Sequence, residues 1–346
     1  MKILLIGVEF YSYANAMECA LQELGHEVYT YVLKDFYSAT LKGRIYQKRR
    51  NTIMCAEGRA SELYLPPDFV WEREGEVVLK LYNKYKPELV IGFAAYFLSA
   101  KVLQAMNATY KILWIYDSIK RLPRVQASLK YYNKICTFEG TEVEYISKMG
   151  CDSDFLPLCA DSSIYHPMQY KKDVDILFAG GMTQERLMIL REIDKSFPNL
   201  KKIVYGKYLE HFDIKGHIIR VKNKENLTFR NANILPESLN ILYSRSKICL
   251  NIHQNQSRYG GNMRLYEILS AGGFQIVDYN PYIENNFAEC VATYRNTKEL
   301  IKLIEYYLNY PEKRESISKR GYETVMHRDL FIHRAEKMVS DYLRTL

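Results

Sequence analysis

Residues 175–186 read DILFAGGMTQER, a short apolar strand followed by a glycine pair and the start of a helix. A strand that turns directly into a helix is the unit from which helix-covered parallel sheets are built. Gly180 and Gly181 allow a ligand to approach the backbone closely, and Thr183 is expected to cap the helix. Arg186 is expected in the first helical turn, where its charge opposes the helix dipole unless an anion such as a diphosphate lies nearby. The alternative is a surface arginine, which costs at most about 1 kcal/mol.

The same strand-to-helix order recurs on both sides of this stretch. Most of the apolar runs are continuous rather than alternating, which is typical of strands buried on both faces of a parallel sheet. The sequence predicts strands at 2–8, 27–33, 88–93, 111–117, 134–139, 154–158, 175–179, 202–205, 218–221, 247–252, 274–278 and 291–294. It predicts helices at 14–24, 71–85, 184–195, 236–244, 263–270 and 297–308, and helical structure from 311 to 346.

The pattern is interrupted at 157–172, where proline, serine and charged residues break every periodicity. We therefore predict an α/β protein with two Rossmann-like, doubly wound parallel-sheet domains, at 1–160 and 173–325. The helix over 326–346 is expected to pack back on the first domain. In such sheets, ligands are bound by the loops at the carboxyl ends of the strands.

Composition indicates a cytoplasmic protein. No apolar run reaches the about 18 residues that span a bilayer, and the short apolar start is better explained as a buried strand than as a signal peptide. The 7 cysteines are scattered and never form C-x-x-C, which is typical of reduced, buried thiols.

The net charge of +8 weakly favours anionic partners. The sharpest basic run lies at 42–50, and its simplest interpretation is a solvated loop. The functional alternative is a peripheral contact with an anionic surface, such as the inner face of a membrane. Nucleic acid is not an expected partner, because no binding motif accompanies the charge.

The richest motif is KICLNIH at 247–253 followed by YGGNMRLYEILSAGG at 259–273. A buried strand leads here into a glycine loop containing Gly261 and Asn262, then into a short helix ended by two glycines. Arg264 and Glu267 are three residues apart and share one helix face beside the loop. The carboxylate suits both hydroxyls of a ribose, and the arginine suits phosphates. The alternative is a weak surface ion pair.

This run resembles the R-x-(F/Y)-E-x-x-x-(A/C)-G signature of group 1, family 4-like glycosyltransferases, and of their CgeB-like subgroup in particular. The turn at 180–186, the Leu235-Pro236-Glu237 loop and the strand end at 251–253 also fit the family. The resemblance implies a GT-B fold, with two domains facing across a cleft. It also implies sugar transfer from a nucleotide sugar, bound by the second domain, to a hydroxyl acceptor, bound by the first, without a catalytic metal.

The resemblance also implies roles for individual residues. Glu267 would hold the ribose, Arg186 and Arg264 the diphosphate, and Leu235 would lie beside the base. No other cofactor is expected, and the acceptor is a glycan, a protein or a small molecule.

One position departs from the family. Retaining enzymes of family 4 carry a second glutamate eight residues before the ribose-binding one, and this chain has Tyr259 there. The first-domain carboxylates that are available to replace it are Glu9 and Asp117. Asp117 ends a predicted strand, where a base for the acceptor hydroxyl is wanted if the enzyme inverts. The alternative for Asp117 is a turn or cap residue. His253 is a second catalytic candidate, with a buried structural histidine as the alternative.

Other functions stay open at this point. The missing glutamate leaves room for a sugar-nucleotide epimerase or a non-catalytic protein that binds nucleotide sugar or glycan. The D-x-D patterns at 152–154 and 173–175 fall at strand starts, away from the ligand edge, so we predict no metal site. The first strand is not followed by G-x-G-x-x-G, which argues against a hydride-transferring enzyme.

Overall fold

The computed structural model describes residues 1–8, 12–33, 41–56, 68–207, 226–253 and 257–346, and its chain forms two compact units. Unit 1 consists of Met1–Pro157 with Phe331–Leu346, and unit 2 is Leu158–Leu330. Each unit contains a parallel sheet of six described strands with helices between them. The predicted α/β class with two doubly wound sheets is confirmed.

Unit 1 has the strand order β2-β1-β3-β4-β5-β6. Its strands are β1 Lys2–Val8, β2 Glu27–Leu33, β3 Leu89–Phe93, β4 Tyr110–Ile115, β5 Lys134–Thr137 and β6 Ser153–Phe155. Its helices are α1 Tyr13–Glu23, α2 Leu41–Ala56, α3 Asp68–Tyr85, α4 Ala100–Ala105, α5 Pro123–Leu129, α6 Val143–Ser147 and, from the far end of the chain, α13 Phe331–Leu343. The core strands are apolar because helices cover both of their faces, and all five residues of β3 are buried.

Unit 2 has the strand order β12-β11-β10-β7-β8-β9. Its strands are β7 Val174–Ala179, β8 Lys202–Tyr205, β9 Leu227–Arg230, β10 Ser246–Asn251, β11 Gln275–Asp278 and β12 Ala292–Tyr294. Its helices are α7 Gln184–Ser196, α8 Pro236–Arg245, α9 Met263–Ser270, α10 Pro281–Phe287, α11 Thr297–Asn309 and α12 Pro311–Arg328. The cap predicted for α7 is confirmed, since the Thr183 hydroxyl accepts the Arg186 N–H at 3.3 Å.

One outer strand was not predicted, and one predicted outer strand is not tested. The predicted strand at 218–221 lies outside the described residues. β9 was not predicted, because apolar and polar residues alternate in Leu-Thr-Phe-Arg and give no continuous apolar run. Its last residue, Arg230, is exposed, as is typical of a strand at the edge of a sheet.

The helical segment predicted from 311 onward is confirmed as two helices, Pro311–Arg328 and Phe331–Leu343, with an interruption at Asp329 and Leu330 that was not predicted. Here the Asp329 carbonyl accepts the Ala160 N–H at 2.9 Å, and Leu330 forms a parallel bridge with Ala160. Backbone groups that serve another segment cannot also continue a helical ladder. The break redirects the chain, so that α13 packs against α1 inside unit 1.

The loop predicted for the basic run at 42–50 is wrong, because these residues lie within α2. Leucine, lysine, arginine and glutamine all have high helix propensity, which explains a helix without an apolar stripe. None of the helices in the described ranges is long and apolar enough to cross a membrane.

Candidate functional site

The predicted ligand residues of unit 2 lie where the strand order of the sheet reverses, between β7 and β10. β7 pairs directly with β10, but the chain leaves β7 toward β8 on one side and β10 toward β11 on the other. The loops after β7 and β10 therefore part in opposite directions and leave a crevice at the carboxyl ends of the two strands, the usual ligand position of such sheets. Gly180 follows β7, and Ile252 follows β10.

Gly180 lies directly against the guanidinium group of Arg264. A Cβ atom at Gly180 would stand 3.0 Å from Arg264 Nη1 and 3.1 Å from Cζ. On its other side, a Cβ atom at Gly206 would stand only 2.3 Å from the Gly180 carbonyl oxygen. The glycine turn predicted to admit a ligand is thus the surface against which Arg264 rests, and Gly180 and Gly181 are both partly exposed.

Arg186 is buried rather than on the surface, with 1% of its area exposed. Its Nη1 donates to the Gly181 carbonyl at 2.6 Å, and its Nη2 donates to the Ile252 carbonyl. Burial, with the nearby charge of Arg264 as a smaller cause, lowers the pKa of Arg186 to about 9. Arg186 therefore joins the loop after β7 to the end of β10 and adds positive charge behind Arg264.

Arg264 lies in the first turn of α9 and is partly exposed. Its Nε is buried and has no hydrogen-bond partner. With the residues that the structure describes, Arg264 forms neither an ion pair nor a hydrogen bond, so the weak surface pair with Glu267 is not formed. A charged donor with no acceptor is costly unless a ligand or solvent supplies one.

Glu267 lies one turn further along α9 and is 4% exposed. The Tyr243 hydroxyl donates to its Oε2 at 3.5 Å. Burial, together with the charge of Glu267, raises the pKa of Tyr243 well above its ordinary value. Tyr243 therefore stays a neutral donor to the carboxylate.

Asn262 is the cap of α9 and part of a closed ring of hydrogen bonds. Its Oδ1 accepts the Leu265 N–H at 3.1 Å, and its Nδ2 donates to Asn251 Oδ1 at 2.8 Å. Asn251 Nδ2 donates to Gln275 Oε1 at 3.2 Å, and Gln275 Nε2 donates back to the Leu265 carbonyl at 2.9 Å. Asn251 and Gln275 are fully buried, so this ring fixes α9 to β10 and β11.

His253 fixes the same segment from the other side. Asp278 Oδ1 lies 2.9 Å from its Nδ1 and accepts its backbone N–H at 2.8 Å. Its Nε2 accepts the Asn262 N–H at 3.2 Å, which makes Nδ1 the protonated nitrogen. Burial opposes ionisation of Asp278, but the hydrogen bonds from His253 hold the pKa of this carboxyl below its ordinary value.

Two further candidates of unit 2 lie at the margins. Leu235 stands at the N-cap position of α8 and is 71% exposed, an unusual position for a leucine. Gly261 is buried, and a Cβ atom there would stand 3.1 Å from the Tyr266 hydroxyl and 2.4 Å from Leu265 Cδ2. Packing under α9 therefore explains Gly261 without a ligand.

Asp117 belongs to unit 1, where it follows β4 and is partly exposed. Its N–H donates to the Tyr96 hydroxyl at 3.2 Å. Sequence reasoning missed Glu142, which is 1% exposed and accepts the Ile119 N–H at 2.8 Å and the Ser118 hydroxyl. The signal was present in the polar run at 139–142, directly after β5. Glu142 holds the loop that carries Asp117, whereas Glu9 lies outside the described residues.

The carboxylates of both D-x-D patterns pair with nearby basic residues. Lys134 Nζ lies 2.9 Å from both Asp152 and Asp154. Asp173 pairs with Arg245 and Lys201, and Asp175 pairs with Lys247 at 2.6 Å. No group of three metal-binding side chains occurs among the residues for which coordinates are described.

Comparison with known structures defines the class of fold as GT-B-like. Sucrose-phosphate synthase from Thermosynechococcus elongatus is 15% identical, with a TM-score of 0.71 over 100% of this chain and 99% of that chain. The structure described as "Trehalose-6-phosphate from E. coli bound with UDP-2-fluoro glucose" is 10% identical, with a TM-score of 0.69 over 99% of both chains. The α,α-trehalose-phosphate synthase (UDP-forming) of Burkholderia vietnamiensis is 11% identical, with a TM-score of 0.65 over 100% of both chains.

Sequence comparison matches one part of the chain to a protein family. Residues 186–340 match the family described as "Glycosyl transferase-like", and the matched stretch contains Arg186, His253, Arg264 and Glu267. No curated protein matches the sequence. The resemblance to the CgeB-like subgroup stays a prediction.

Proposed function

We propose that the protein is a glycosyltransferase that moves a sugar from a nucleoside-diphosphate sugar to a hydroxyl acceptor. The observation that carries this proposal is Arg264, whose buried Nε lacks a partner while its guanidinium group rests on Gly180 in the crevice of unit 2. A ligand with two negative charges and a sugar-bearing end fits that position. The GT-B-like fold and the family match over 186–340 support the same reaction class.

The donor diphosphate would be held by groups of unit 2. Arg264 would pair with it, and the N–H groups after β7 and at the start of α7 would add hydrogen bonds, as at other helix N-termini. Arg186 would attract the diphosphate by its positive charge without a direct hydrogen bond from its Nη atoms, since both already donate to backbone carbonyls. The buried carboxylate of Glu267 would accept the ribose hydroxyls, and exposed Leu235 would be covered by the base.

Sugar transfer would then depend on stabilising the leaving group. As the bond from the anomeric carbon to the diphosphate oxygen breaks, charge builds on that oxygen, and Arg264 would neutralise it without a metal. The acceptor, bound by unit 1, would lose its hydroxyl proton to Asp117 as its oxygen forms the new bond. His253 would act as a positioning residue, because both of its ring nitrogens already hold neighbouring groups.

A thermal-shift screen with UDP, GDP, CDP and dTDP tests donor binding. A nucleotide present at about 100 times its Kd adds about 2.7 kcal/mol, which raises Tm by about 5 to 11 °C for a domain of 150 to 250 residues. Arg264→Ala should reduce this shift to about half or less without lowering the ligand-free Tm, because it weakens nucleotide binding but removes no hydrogen bond of the protein. If no nucleotide shifts Tm, the proposal fails.

Product analysis with a labelled nucleotide sugar tests the reaction itself. Transfer, or slow hydrolysis to free sugar and nucleoside diphosphate, is the expected result. An epimerised nucleotide sugar as the product would establish the epimerase instead. Tight binding without any turnover would establish a non-catalytic binding protein.

A further inference from the structure

Helix α2 presents a basic surface that the donor site does not use. Its sequence, LKGRIYQKRRNTIMCA, contains five lysines and arginines and no acidic residue. Lys42, Arg44, Lys48 and Arg49 are exposed, and no carboxylate of the described chain pairs with any of them. Positive charge at this density attracts an anionic partner.

The same helix exposes apolar side chains between the charges. Leu41 is 66% exposed, and Ile45 and Ile53 are each 54% exposed. Gly43 is buried and Gln47 is half-buried, and residues four apart share one helix face, so this side of α2 is covered. The leucine and isoleucines lie on the exposed side of α2 together with the cations.

An apolar patch continues from α2 onto the start of α3. Phe69 is 48% exposed, and its ring meets the ring of Tyr46, which is 43% exposed, at 6.2 Å. Single exposed apolar residues are ordinary on protein surfaces, but several on two adjoining helices mark an interaction surface. We define the α2 surface as Leu41, Lys42, Arg44, Ile45, Lys48, Arg49, Ile53 and Phe69.

We propose that the α2 surface binds an anionic lipid membrane from one side, without crossing it. The charges would interact with acidic headgroups, and the leucine and isoleucine side chains would enter the interface between headgroups and acyl chains. Lysine and arginine stems can lie along apolar surface while their charged ends reach the headgroups, which suits charges and apolar groups interleaved on one face. A nucleic acid or other polyanion would use the charges but leave the apolar side chains exposed.

Vesicle sedimentation tests the inference with the full chain. Binding should be strong to vesicles of phosphatidylglycerol and phosphatidylcholine, weak to phosphatidylcholine alone, and weaker as salt rises. Each basic residue near an anionic surface contributes about fivefold in partitioning, so Lys42→Gln with Arg49→Gln should weaken binding about 25-fold. The matched control is Lys298→Gln with Lys302→Gln on α11, which removes two exposed lysines and should leave binding unchanged.

Apolar insertion needs its own measurement. Leu41→Ser with Ile45→Ser should weaken binding by at least tenfold even at low salt, because each removed side chain loses apolar burial. Both native tryptophans are buried, at 5% and 0% exposed, so Ile45→Trp adds one exposed reporter whose emission should shift to the blue with anionic vesicles.

Three results would overturn the proposal. These are equal binding to neutral and anionic vesicles, no effect of the serine pair, and complete competition by DNA or heparin together with an unshifted emission from the Ile45→Trp variant. The last would identify a polyanion as the partner. Because α2 belongs to unit 1 and the donor residues belong to unit 2, variants of α2 should keep the nucleotide thermal shift, so this proposal and the donor proposal fail separately.

Discussion

Gly180→Ala should weaken nucleotide binding while leaving the fold intact. The new Cβ would stand 3.0 Å from Arg264 Nη1, which is the far end of a flexible side chain, so the guanidinium group moves and the backbone does not. Fewer unfolded conformations for alanine offset part of the strain, by about 0.4 to 1 kcal/mol. We therefore expect an apparent Tm within about 4 °C of the parent.

The effect on binding follows from what the guanidinium group loses. A hydrogen bond to a charged group contributes about 1.5 to 3 kcal/mol, which corresponds to a Kd about 10 to 150 times higher for the nucleoside diphosphate. This Kd is measured by isothermal titration calorimetry with the nucleotide that the thermal-shift screen identifies. In an Arg264→Ala background, Gly180→Ala should have no further effect, since both changes remove the same contact.

Gly206→Ala is the matched contrast. Its Cβ would stand 2.3 Å from the Gly180 carbonyl oxygen, so the backbone itself must shift. Such overpacking costs about 1 to 3 kcal/mol and should lower Tm by about 2 to 12 °C. The reasoning is refuted if Gly180→Ala binds as tightly as the parent, or if it weakens binding equally with and without Arg264.

Three further changes probe the site, and one probes its metal requirement. Glu267→Ala should weaken binding of a ribonucleoside diphosphate at least tenfold but leave binding of the 2′,3′-dideoxy analogue unchanged, and equal losses would remove the ribose role. Asp117→Asn should lower kcat and keep the donor Kd, while an unchanged kcat would assign Asp117 to the turn alone. Transfer should persist in excess EDTA, and a loss restored by Mn²⁺ or Mg²⁺ would establish a metal requirement. The pKa of Asp278 is lowered on folding, because hydrogen bonds from His253 outweigh burial, so its stabilisation is complete above about pH 4 and lost as pH falls through the folded value. Asp278→Asn should flatten this acid loss in denaturant midpoints measured from about pH 5 to 2, and identical slopes would contradict the assignment.

Most strands of the two sheets could be read from the sequence because helices cover both of their faces. Continuous apolar runs such as those of β1 and β3 carry that signal in themselves, whereas the partly exposed edge strand β9 was missed. α2 could not be found in this way, because an exposed helix has no apolar stripe to reveal its period. The break at Asp329 is set by Ala160, a partner from a distant part of the chain, and local pattern cannot anticipate such a contact.

In the candidate site, too, some features could be predicted from the sequence and others depend on the folded sheet. The spacing of Arg264 and Glu267 places them on one helix face, which sequence alone can state. The burial of Arg186 depends on carbonyls of two separate strand ends, and the amide ring of Asn262 depends on β10 and β11 lying side by side. Those are properties of the assembled sheet.

The position of α13 has a consequence for how the chain is made. Unit 2 is continuous in sequence, whereas unit 1 lacks Phe331, Met338 and Tyr342 until all of unit 2 has been synthesised, and all three are buried in the folded protein. The Arg334 side chain, which donates to the Pro157 carbonyl at 2.7 Å, is equally late. Domains generally fold as units in their order of emergence from the ribosome, but 1–157 cannot complete unit 1 before 331–346 has been made. Unit 2 can therefore be complete before unit 1, although it follows most of unit 1 in sequence.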